Sequence, residues 1–201
     1  RQNDWATSTE NKWLMYRADA RALPVNDNSV YAVITSPPYP NRHDYTRVFA
    51  IELMFGFLDW EQTRSLRYQT LESHPESKPI RPNYSEFVLP SAVEHQIEEV
   101  SKVHKEARIP LMLRGYFIDL YICIKEMYRV LKKGGHCALV LGNAQYAGIP
   151  IEVDIAAAEI GERAGFSCEE IRIARLRGNS AQQMRVFGRM PSRESVVLFR
   201  K

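Results

Sequence analysis

A chain of 201 residues with 45% apolar and 25% charged side chains has the balance of an ordinary globular domain and can bury a substantial core. No apolar run approaches the length of a membrane span and no secretory leader is visible, so a cytoplasmic protein is expected. Its three cysteines, Cys123, Cys137 and Cys168, are unevenly spaced within apolar stretches and read as reduced core residues, not as a disulfide framework or a zinc site.

Residues 1–11 are polar and irregular, and there is no initiator Met. Trp13-Leu14-Met15-Tyr16-Arg17 is expected to form a strand ending at Ala18-Asp19-Ala20. Pro24 and the turn cluster Asn26-Asp27-Asn28 then introduce Val30-Tyr31-Ala32-Val33-Ile34, a short β-branched and aromatic run that predicts a buried strand. Thr35-Ser36-Pro37-Pro38-Tyr39 therefore sits at a strand's carboxyl end, where open α/β sheets bind ligands. Two consecutive prolines cannot continue a ladder, and each restricts the residue before it to extended geometry. The Ser36 hydroxyl and the neighbouring carbonyls are thereby held out as acceptors beside the Tyr39 ring.

An acceptor pair next to a stacking ring suits a planar amine. The exocyclic NH2 of cytosine or adenine is a poor nucleophile because its lone pair is delocalised. Acceptors that hold both N–H groups favour a pyramidal nitrogen, which attacks a sulfonium methyl group directly and loses its proton afterwards. No general base of high pKa is needed.

Thr35-Ser36-Pro37-Pro38-Tyr39, with Ala18-Asp19-Ala20-Arg21 and the Leu23-Pro24 to Val30 lead-in, resembles the catalytic motif of S-adenosylmethionine-dependent DNA amino-methyltransferases. The resemblance implies a Rossmann-like class I α/β sheet with helices on both faces and a closing antiparallel strand pair at the carboxyl end. It implies S-adenosyl-L-methionine as cofactor and double-stranded DNA as partner, with a cognate restriction endonuclease possible in a restriction-modification setting. Ser36, Pro37, Pro38 and Tyr39 correspond to the catalytic positions, and Asp19, Ala20, Thr35 and Ser36 to cofactor-binding ones. Asp19 would accept from the donor's adenine amine; a turn or helix-cap Asp is the plainer reading. In this family Ser in the first motif position goes most often with N4 of cytosine and Asp with N6 of adenine, so N4-cytosine is expected.

Pro40-Asn41-Arg42-His43-Asp44-Tyr45 is similar to a string that follows the motif in one subgroup. Arg42, His43 and Asp44 are candidates for contact with the target strand or for ordering the loop. Residues 48–57 are strongly apolar with helical spacing, and predict a helix packed near the site. Residues 58–90 are rich in Pro and Ser and predict a long loop, and residues 91–108 an amphipathic helix. Residues 1–58 and 111–201 are assigned to the catalytic domain. Residues 59–110 are assigned to an insertion that either recognises the target or covers the catalytic loop.

Residues 115–131 carry apolar side chains at helical steps and end in Lys132-Lys133-Gly134-Gly135, a helix stop. Residues 136–141 predict a strand whose carboxyl end carries Asn143, a candidate for the flipped base or the donor, though a turn-forming Asn is simpler. A helix over 151–164 capped by Gly165 and two strands over 166–176 and 195–200 complete the chain. Between Ile171 and Arg193 lie Arg172, Arg175, Arg177, Arg185, Arg189 and Arg193 with no acid, an electrostatic footprint for phosphates. Arg177, Arg185 and Arg189 are the foremost DNA-binding candidates among them.

None of the ten glycines stands in the Gly-rich turn that lets a backbone approach the donor's methionine portion. The chain is therefore expected to be the carboxyl-terminal portion of an enzyme, with the first two strands missing, completed by an amino-terminal fragment that carries the turn. Two competing readings keep part of this picture. Related Pro-Pro-Tyr motifs methylate guanine amines in RNA or glutamine amides in proteins, and a DNA-binding remnant would have lost catalysis together with its cofactor half.

Overall fold

A computed structural model describes residues 14–56, 58–82, 84–178 and 181–201. The run after the Asn-Asp-Asn turn forms β1 (Val30–Thr35), which pairs in parallel with β2 (Leu131–Gly142), Val33 lying against Cys137 and Thr35 against Leu139. Parallel neighbours need a long crossover. Here it consists of α1 (Tyr45–Val48), α2 (Ala50–Met54), α3 (Trp60–Gln69), α4 (Ser91–Val103) and α5 (Arg108–Val130). After β2 come the hairpin β3 (Ala144–Tyr146) and β4 (Ile149–Ile151), then α6 (Val153–Arg163), β5 (Ser167–Arg177), α7 (Ala181–Phe187) and β6 (Ser192–Arg200). The main sheet runs β1-β2-β6-β5, with β6 antiparallel to both neighbours. This is the expected mixed α/β sheet with its antiparallel closing pair.

The carboxyl end of α6 has a local cause. Gly165 adopts φ 108°, and the Gly165 and Phe166 amides donate back to the Glu162 and Gly161 carbonyls, closing the last turn. α5 begins earlier than the apolar spacing suggests, because Pro110 falls in its first turn, where a missing N–H costs nothing. The core lies between these two helices and one face of the sheet: Ile109, Leu113, Phe117 and Ile124 of α5 and Ala157 and Ile160 of α6 meet Cys137, Leu139, Val197 and Phe199. Val93, Ile97 and Val100 of α4 join the same cluster. Cys123 and Cys137 are buried within it, the Cys137 thiol 3.8 Å from the Met127 sulfur, whereas Cys168 on β5 is half-buried.

Four expectations are corrected. Residues 14–17 form no strand and are exposed, Leu14 by 76% and Met15 by 84%; the run has the right composition but no neighbour to pair with, and Trp13 lies outside the described residues. The expected helix over 48–57 is split into α1 and α2 at Phe49, with Ile51 and Phe55 turned to solvent, and Phe57 lies outside the described residues. The expected loop over 58–90 contains α3, nucleated by a reciprocal capping box between Asp59 and Gln62. Among the described residues helices cover one sheet face, not both: on the other, Ile34 is 82% exposed and Ala138, Val140, Val196 and Leu198 are half-exposed. Among the described residues no helix is long and apolar enough to cross a membrane.

Candidate active site

Thr35-Ser36-Pro37-Pro38-Tyr39 leaves β1 as extended chain. The Ser36 hydroxyl donates to the Val140 carbonyl of β2 at 3.2 Å and also interacts with the Tyr39 phenol. Tyr39 folds back onto the open face of the sheet. A Cβ added to Gly142 would stand 2.7 Å from the ring's Cδ2 and Cε2, so the ring rests directly on backbone. Its hydroxyl donates to Glu194 Oε1 at 2.7 Å. Burial raises the Tyr39 phenol above its ordinary pKa; Ser36 opposes the shift and the Glu194 carboxylate adds to it. Glu194 accepts in turn from Arg175 Nε, and Arg177 Nη1 lies 3.6 Å from it.

The loop after the motif is latched. The buried Tyr146 hydroxyl of β3 donates to the Pro40 carbonyl at 2.6 Å, and Arg42, at φ 70°, donates its amide to the Ser73 carbonyl at 3.1 Å. Asp44 is buried and caps α1, accepting from the Thr46 amide at 3.0 Å and its hydroxyl at 2.5 Å while Arg67 Nε approaches to 2.6 Å. Burial works against its charged form, but Thr46, His74 and Arg67 together hold the carboxyl below its ordinary value. Of the two roles weighed for Asp44, ordering the loop is the one its surroundings occupy.

A cavity of about 760 Å³ opens beside Tyr39. Its wall brings together Tyr39, Arg42, His43, Asn143 and Arg177, residues up to 138 positions apart in the chain, and adds His104 from the end of α4. Ser36, Asp19, Asp44, Arg185 and Arg189 are not on that wall. Asn143 is engaged locally: its Oδ1 accepts from the Asp154 amide at 3.1 Å, tying the carboxyl end of β2 to α6.

Asp19 stands in a turn with Ala20, exposed, its carboxylate accepting from the Arg21 amide, Nε and Nη2 at 2.9, 3.0 and 2.8 Å. Burial pushes the carboxyl up, but Arg21 more than offsets this and holds it below its ordinary value. Arg21 is anchored beneath by Asp119 of α5 at 3.2 Å and by the Gln69 carbonyl at 2.7 Å. Asp119 also receives Arg81 Nε at 2.9 Å and the Glu72 amide at 2.8 Å, so one buried carboxylate gathers three loop segments.

The arginine stretch is less free than its composition suggests. Arg172 pairs with Glu170 at 2.8 Å, Arg175 and Arg177 face Glu194, and Arg193 pairs with Asp154 at 2.6 Å. Two of these counter-charges, Glu170 and Glu194, border the acid-free window, and the third, Asp154, comes from α6. Arg185 and Arg189 are exposed and have no acidic partner among the described residues. Sequence reasoning missed Glu194, and placed Gly142 at a strand's carboxyl end on the active-site side without its role as the seat of Tyr39. The one available signal for Glu194 was an acid at the head of an apolar strand, directly after six unbalanced arginines.

No protein-family model matches the chain. Over 204 residues, 90% of this chain, it is 35% identical to the Type II methyltransferase M.BsoBI of Geobacillus stearothermophilus. It is also 35% identical over 196 residues to the Type II methyltransferase M.AvaI of Nostoc sp. and that of Anabaena variabilis. Over that stretch the chain is similar to these Type II methyltransferases. It spans about 40% of the length of the relatives it matches.

Proposed function

We propose that this chain carries the target-base side of a DNA amino-methyltransferase that modifies N4 of cytosine. The observation that carries the reading is the Ser36 hydroxyl, held against the Val140 carbonyl, beside a Tyr39 ring laid on Gly142 and lining the cavity. A base extruded from the duplex, at a cost of a few kcal/mol of unstacking, would stack on Tyr39. Its amine would give its N–H groups to Ser36 and to the carbonyl beside it. S-adenosylmethionine, when bound, supplies an electrophilic methyl group. The nitrogen lone pair forms the new N–C bond as the methyl C–S bond breaks, and the proton leaves to water afterwards. Arg42, His43 and Arg177 on the wall are suited to the strand's phosphates, with Arg185 and Arg189 further out. Residues 59–110 would cover the loop or choose flanking bases.

The chain's own residues fit the donor in part. Asp19 offers an acceptor for an adenine amine, but none of the ten glycines forms a cradle for the methionine portion. We infer that the cradle is contributed from outside these 201 residues, a reading supported by the free edge of β1 and the half-exposed sheet face, since strands of α/β sheets are normally covered on both faces.

The test is transfer of labelled methyl groups to duplex DNA by this chain together with the polypeptide that supplies the cradle, with the product nucleoside identified by mass spectrometry. N4-methylcytosine is expected, falling about a hundredfold in Ser36→Ala. N6-methyladenine would redirect the reading to the other base, and no methylated base would sink it. Transfer by the 201 residues with no other polypeptide present would overturn the inference about the cradle.

A further inference from the structure

Tyr39 is fixed at two points. Gly142 seats the ring, because any side chain there would occupy its place. Glu194 holds the hydroxyl end at 2.7 Å. These two residues face each other across β2 and β6, and Arg175 faces Glu194 across β5, so three strands converge on one phenol. Glu194 is only 7% exposed, and the Arg175 hydrogen bond keeps its carboxyl below the ordinary value, ionised and in place. A tyrosine without such a partner turns broadly about χ2, and a stacking platform works only if its plane is set before the base arrives.

We propose that Glu194 is a positioning residue that sets the plane of Tyr39 for the target base, with Gly142 as the seat and Arg175 as the clamp on the carboxylate. The proposal rests on the reading of Tyr39 as the base-stacking ring given above. It also explains why a bulky strand-forming residue is absent at 142, at the end of an otherwise aliphatic strand.

The native protein labelled with 3-fluorotyrosine, with the Tyr39 resonance identified by its loss in Tyr39→Phe, tests this directly. Glu194→Leu is expected to shift that resonance and to lower kcat/KM for methyl transfer about tenfold, the scale of one charge-assisted hydrogen bond. Glu194→Gln, which keeps an acceptor oxygen, should restore most of the loss. In a Tyr39→Phe background Glu194→Leu should cost little more, because its effect runs through the hydroxyl. Equal losses in both backgrounds would overturn the proposal, leaving Glu194 as a residue that merely joins β5 to β6. Should Glu194→Leu not fold, Gly142→Ala displaces the ring from the other side with Glu194 intact, and the same resonance must move. An unmoved Tyr39 signal overturns the positioning role whether or not methyl transfer is observed. Absence of transfer by the unmutated protein, with the signal still shifting, would fault the methyltransferase reading instead.

Discussion

On one face of the main sheet, Cys137, Leu139, Leu141, Val197 and Phe199 are withdrawn from solvent beneath α5 and α6; on the other, Ile34 stands in water and Ala138, Val140, Val196 and Leu198 are half-covered. The same strands build both faces, and alternate residues decide which face each serves. The covered face supplies the packing that holds the domain together. The open face supplies the seat for Tyr39, the Glu194 carboxylate and Arg175, at the end of the sheet where the motif loop emerges. A site can therefore be assembled on a surface that contributes little to stability, because the opposite surface fixes the strands from beneath.

The contrast can be broken most easily on the covered side. Phe199 is 1% exposed, packs against Phe166 at 5.3 Å between ring centroids and lies over Gly161, so Phe199→Ala should cost about 4 kcal/mol in urea unfolding. A loss below about 1 kcal/mol would mean that the face relaxes freely and is no true core. Next in size is Asp154, fully buried at the start of α6 and bonded to Arg193 at 2.6 Å and to the Ser195 hydroxyl at 2.6 Å. Burial raises its carboxyl, but Arg193 and Ser195 together bring it below its ordinary 3.8. A depressed folded-state pKa stabilises above the unfolded value and is lost as pH falls through the lower folded one. Asp154→Asn should thus cost about 2 kcal/mol at pH 7, and the two stability curves should converge as pH drops below about 4. A gap that stays constant down to pH 2 would show that the carboxylate's charge is irrelevant. The smallest effect belongs to the open face: Ile34→Ser should change stability by no more than about 0.5 kcal/mol. A larger loss in the native protein would mean that this face is covered there, and would place Ile34 beneath the cover.

Much of the architecture was legible because local signals agreed with tertiary placement. The β-branched run before the Pro-Pro pair, the Gly165 stop and the two strands flanking the arginines each carry their cause within a few residues. Where reading failed, the deciding partner was distant or the local signal was outvoted. The Asp59 and Gln62 box was readable, yet the Ser and Pro that follow it pointed to loop for the whole stretch. Trp13 to Arg17 had a strand's composition, but a strand also needs a neighbour. The arginines looked unpaired because Glu170 and Glu194 border the acid-free stretch and Asp154 lies on α6, well before it. The hold on Tyr39 was invisible, since 155 positions separate the phenol from its carboxylate.

The three thiols differ in a way that matters to anyone who wants to attach a reporter. Burial pushes the Cys123 and Cys137 thiols up to about 12, so almost none of the reactive thiolate exists at neutral pH. Cys168, half-buried on β5 and shifted less, is the natural place for a dye. Reagent that reaches the other two sulfurs reports that α5 has parted from β2.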